Sequence, residues 1–104
     1  MTSIFSEAST AFRKAYGSNA NAMTPNLCEY RTFEVEGCRY FAEISSGSSI
    51  FNPGESIYGV TIIRTEGDGE PIKMHAYSDC FASKQEARDY WLNFKNDRLE
   101  EAGQ

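Results

Sequence analysis

The spacing of apolar residues changes twice along this chain, and those changes leave few folds open. Between Ser3 and Tyr16 the apolar positions are Ile4, Phe5, Ala8, Ala11, Phe12, Ala15 and Tyr16. That is the i, i+4, i+7, i+8 pattern of one stripe along a helix. Ser3 suits the N-cap and Gly17 the left-handed residue that ends a helix, while Arg13 and Lys14 suit the negative end of its dipole. From Leu27 onward the period falls to two, which predicts strands. At Ser83-Lys84-Gln85-Glu86 a capping-box order appears, and Ala87, Tyr90, Trp91 and Phe94 return to helical spacing, with Leu99 near the end.

The strand region divides at its turn residues. Cys28–Val35 and Cys38–Ile44 flank Glu36-Gly37 and read as a hairpin, with Cys38, Tyr40, Ala42 and Ile44 facing a core and Arg39 and Glu43 pointing outward. Ser45 to Glu55 reads as a loop, rich in Ser and Gly, whose centre carries Ile50 and Phe51. A third strand is expected over Ser56–Thr65 and a fourth over Pro71–Asp79, around the turn Glu66-Gly67-Asp68-Gly69-Glu70. The fold class is therefore α+β: an N-terminal helix, a four-stranded antiparallel sheet of two hairpins, and a C-terminal helix packed on the sheet. Residues 1–104 are expected to form a single compact domain, with both helices on one face of the sheet.

The chemistry-bearing residues are sparse. His75 is the one histidine, placed on a strand face beside Tyr77 and Asp79, and this is not a catalytic spacing. The three cysteines, Cys28, Cys38 and Cys80, are far apart, and the hairpin register sets Cys28 and Cys38 at opposite ends. Neither a metal site nor a disulfide framework is expected, and no cofactor motif is present. Met1 to Glu7 lacks a basic start and an apolar run, so no secretory signal is expected. With no apolar span of membrane length, the expected compartment is the cytoplasm.

Ser83-Lys84-Gln85-Glu86-Ala87 opening the last helix resembles the layout of double-stranded RNA-binding domains, which grip phosphates there with a basic cluster. Here Glu86 and Asp89 stand where further positive charge is needed. The net charge of −5 likewise argues against direct nucleic-acid binding and against a polybasic membrane contact.

That negative charge is uneven. Residues 28–104 carry 8 basic and 14 acidic side chains, whereas residues 1–27 carry Arg13 and Lys14 against Glu7 alone. The expectation is a non-enzymatic protein-binding domain, an inhibitor of a nucleic-acid-handling partner with a basic surface. Glu66, Asp68, Glu70, Glu36 and Glu43 would supply the charge, and Ile50 and Phe51 an apolar contact. In size, charge and design the chain is similar to small acidic inhibitors that phages and plasmids use against host defence, anti-CRISPR proteins among them. The alternatives are a structural or assembly protein that forms a homodimer through a sheet edge, and a small enzyme using His75.

Overall fold

The computed structural model describes residues 4–17, 24–67, 70–76 and 81–103. Helix α1 (Ile4–Tyr16) is followed by strands β1 (Asn26–Val35), β2 (Cys38–Ser48), β3 (Ser56–Glu66) and β4 (Ile72–Ala76), and then by helix α2 (Lys84–Glu101). The strands form one antiparallel sheet in the order β1-β2-β3-β4, each paired with its neighbours in sequence. Helix α1 ends as its residues dictate: Gly17 lies at φ 81° and its N–H donates to the Arg13 carbonyl at 2.7 Å. Ser83 caps α2 by accepting from the Glu86 N–H at 3.2 Å. The Glu86 carboxylate reaches back to the Ala82 N–H at 3.0 Å, one residue earlier than the usual capping box.

The helices do not share a face. Phe33, Val35, Tyr40, Ala42, Ile44, Val60 and Ile62 pack with Ala87 and Trp91 of α2. Phe41 and Ile63, of the opposite parity, pack with Ala8, Ala11 and Phe12 of α1. Register makes the separation unavoidable, because Phe41 sits opposite Ile63 while Ala42 sits opposite Ile62. Successive side chains point to opposite faces, and here both members of each successive pair are apolar. The expectation of a one-faced sheet is thus corrected to three layers. The five consecutive residues from Gly59 to Ile63 are all buried, as in a strand covered on both sides.

One strand boundary also moves, and one ladder is irregular. Strand β2 continues through Ser45-Ser46-Gly47-Ser48, which the sequence suggested as loop, because β3 offers it an unbroken ladder from Ser45 opposite Gly59 to Ser48 opposite Ser56. Ser45 is buried there and shares a 2.7 Å hydrogen bond with the Thr24 hydroxyl. In β1 the register shifts at Cys28, with Leu27 opposite Ser45 and Glu29 opposite Ile44. A bulge of this kind makes the exposed edge a poorer template for another strand.

Helix α1 lies across the strands. Phe5 and Phe12 meet Tyr30 on edge strand β1, and Tyr16 meets the Lys73 ammonium on edge strand β4. Helix α2 instead runs along them. Phe81, just before it, pairs with Tyr58, Arg88 bonds Glu29, and Phe94 meets Tyr40. Its C-terminal end therefore arrives at the same end of the sheet as the Glu36-Gly37 turn.

Candidate functional site

The topology sorts six of the seven residues singled out in the sequence into two ends and a middle. One end carries the tight β1–β2 turn, the end of β3 and the start of β4, together with the C-terminus of α2. Glu36, Glu66 and Glu70 are exposed there, and Asp97, Glu100 and Glu101 of α2 join them. Asp68 lies outside the described residues. Glu66 is bound by Arg64 at 2.9 Å and Glu101 by Arg98 at 2.8 Å.

Glu36 is the unusual member. It adopts φ 52° and Gly37 φ 78°, so both turn residues are left-handed, as the twist of a two-residue hairpin demands. Asn, Asp or Gly takes the first of these positions easily, whereas Glu pays about 1 kcal/mol for its Cβ. The Glu36 side chain is exposed and has no hydrogen bond or ion pair among the described residues.

The opposite end is the β2–β3 connection, and it is built differently. Ser49 Oγ accepts from the N–H groups of Phe51 and Asn52 at 3.2 and 3.1 Å. The Ser49 N–H donates to the Glu55 carbonyl at 3.0 Å, and the Glu55 N–H donates to the Asn52 carbonyl at 3.1 Å. Pro53 followed by Gly54 at φ 92° forms the type II turn within it. Ile50 and Phe51 stand out from this hydrogen-bonded frame with 75% and 82% of their surface exposed. They do not fold back onto the sheet edge. A groove of about 510 Å³ lies beside them, lined by Ile57, Tyr58, Phe81 and Ala82 with Ser49 and Glu55.

The two ends are separated by the eleven residues of β2, about 35 Å at the rise of a strand. In a molecule 43 Å long, a small partner surface cannot span both. The acidic and apolar contacts expected to act together are thus two separate surfaces.

Glu43 belongs to neither. It sits mid-strand on the α1 face, opposite Tyr30 and Thr61, so the outward position expected for it is corrected. Burial raises its carboxyl pKa above the ordinary range. Burial, and then the Glu43 charge, raise the Tyr16 and Tyr30 phenols in turn. The Thr61 hydroxyl facing it is buried and has no hydrogen-bond partner among the described residues. Glu29 shows the opposite balance. Burial pushes its carboxyl up, but bonds from Arg88 and Arg31 outweigh this and hold the pKa below the usual value.

A second groove, about 640 Å³, separates α1 from the turn end of the sheet, and the 2.7 Å ion pair of Glu7 with Arg39 spans it. His75 lies on β4 opposite Ile62, while Tyr77, Asp79 and Cys80 lie outside the described residues. Cys28 and Cys38 are free thiols. Among the described residues no three His, Cys, Asp or Glu side chains are grouped to hold a metal ion, and no helix is long and apolar enough to cross a membrane. Sequence reasoning missed the Phe81–Tyr58 pairing that builds the loop-end groove, and the only hint was an apolar residue just ahead of the capping box. Comparison with protein-family models, curated proteins and solved structures found no match.

Proposed function

We propose that this chain is a non-enzymatic, cytoplasmic protein-binding module whose acidic turn end engages a partner with a basic surface. The partner class best suited to it is a nucleic-acid-handling protein, whose Lys- and Arg-lined groove a compact acidic end would occupy in place of phosphates. An inhibitor of the phage or plasmid anti-defence type, such as an anti-CRISPR protein, is the concrete form of this reading.

The observation that supports it is Glu36. A residue held in a costly backbone conformation, exposed and without a side-chain partner among the described residues, adds nothing to stability that Asn or Gly would not add more cheaply. What Glu adds is a carboxylate at the tip of the turn.

The test is affinity capture of the partner, followed by binding measured from about 50 to about 300 mM salt. Reversing Glu36, Glu66 and Glu70 together to Lys is expected to weaken binding by roughly tenfold or more, mainly through slower association. Affinity that responds neither to salt nor to this reversal overturns the reading.

A further inference from the structure

We infer that the loop end is a self-association surface, joining two copies of this chain head to head with Phe51 of each seated in the groove beside the other's loop. The inference stands apart from the turn-end reading, since the two surfaces are at opposite ends of the sheet.

The contact has its knob and its hole on one patch. Ile50 and Phe51 are the two most exposed large apolar residues among those described. Immediately beside them lies the groove lined by Ile57, Tyr58 and Phe81. A two-fold interface brings the same patch of both copies together, so each partner must carry both halves of the fit. The loop is held in shape by the Ser49 hydroxyl and by the Asn52–Glu55 turn, so little ordering cost remains for association.

Charge favours the loop end over the turn end as the place where two copies meet. At −5 per chain, two copies repel wherever their carboxylates meet. Among the described residues the turn end carries Glu36, Glu70 and Glu100 without a side-chain partner, besides the paired Glu66 and Glu101, whereas most carboxylates nearer the loop end are engaged. Glu29 is bonded to Arg88 and Arg31, Glu86 to the Ala82 N–H, and Asp89 to Gln85. Glu55 on the groove wall and Lys84 at the start of α2 remain without side-chain partners among the described residues. In the proposed dimer Glu55 of each copy faces Lys84 of the other across the two-fold axis, giving opposite charges twice. The acidic turn ends then point away from one another.

So small a contact belongs to the weak class below about 1,200 Å² in total, so a dissociation constant on the order of 10 to 100 µM is expected. Sedimentation velocity of the full chain across that range is expected to show the mass rising from 11.7 kDa toward twice that value. Phe51→Asp is expected to abolish the rise while leaving circular dichroism and Tm unchanged, because the side chain is already in water. Glu55→Lys and Lys84→Glu are each expected to weaken association, and the double swap to restore it. The dimer is expected to persist at salt that abolishes turn-end binding, which separates failure of one proposal from failure of the other. A chain that stays monomeric throughout, or association that survives Phe51→Asp, overturns the inference; the second result would point to another surface such as the β1 edge.

Discussion

Truncating Ile63 measures whether α1 is a structural layer or an appendage. Ile62 and Ile63 are adjacent, both fully buried, and face opposite sides of the sheet. Ile62 belongs to the cluster under α2, and Ile63 touches the cluster made by Ala8, Ala11, Phe12 and Phe41. Replacing a buried Ile by Ala removes three carbons and leaves a cavity that neighbours fill only in part, at a cost of about 2–5 kcal/mol. The Ile63 pocket is walled by the Phe12 and Phe41 rings, and two alanines cannot reach into the gap, so about 3 kcal/mol is expected. In urea, at an m-value of about 1–1.5 kcal/mol/M, that lowers the midpoint by about 2–3 M, a large share of the stability of a domain this size. Ile62→Ala should cost about as much. A double-mutant cycle supplies the sharper readout: Ile63→Ala and Phe12→Ala should couple by at least about 0.5 kcal/mol, whereas Ile62→Ala and Phe12→Ala, on opposite faces, should add. If Ile63→Ala costs less than about 1 kcal/mol, or shows no coupling to Phe12, the second buried face does not exist.

Glu43→Gln is expected to stabilise the protein at pH 7, because burial disfavours the charged carboxyl. The folded protein binds this proton at higher pH than the unfolded chain does. The wild type should therefore gain on the variant as pH falls through the folded pKa, and the difference should vanish below the ordinary glutamate range, as urea titrations at several pH values will read. Glu29 has the opposite sign. Its contribution is present at neutral pH and is lost as pH falls through its lowered pKa, so Arg88→Ala, which removes one of its two guanidinium partners, should flatten the acid limb of the stability profile. Glu36→Asn should raise stability by about 0.5–1 kcal/mol while weakening the proposed turn-end contact, and binding left unchanged would show the carboxylate to be idle. Ser83→Ala removes the acceptor for the Glu86 N–H and should cost about 1 kcal/mol by thermal melt.

Element identity was legible in the sequence wherever one local signal sufficed. Gly17 stops α1, Ser83 and Glu86 start α2, and Val35 faces Cys38 across the first turn, as the residues there suggest. Layering was harder to read because two signals overlap. Tyr40-Phe41-Ala42 and Val60-Thr61-Ile62-Ile63 contain the alternation of an amphipathic strand within a continuous apolar run, and reading only the alternation hides the second face. Glu43 was misplaced for the same reason: an odd-numbered acid in β2 points outward only if the odd face is wet. The separation of Ile50 and Phe51 from Glu36, Glu66 and Glu70 follows directly from strand connectivity, since successive hairpin turns alternate ends. The loop-end groove was not legible, because it depends on Phe81 returning to pair with Tyr58 across 23 residues.

The strict meander also shapes how the chain reaches this structure. Every ladder joins strands adjacent in sequence, and β2 pairs with β3 over eleven consecutive positions across the loop that begins at Ser49. Such short-range contacts cost little loop entropy, so the sheet can grow outward from its central hairpin without waiting for the chain ends to meet. The two helices then dock independently, one on each face. The smaller cluster beneath α1 marks it as the element whose amides should exchange with solvent first, while the β2–β3 ladder should hold its protons until the whole molecule opens.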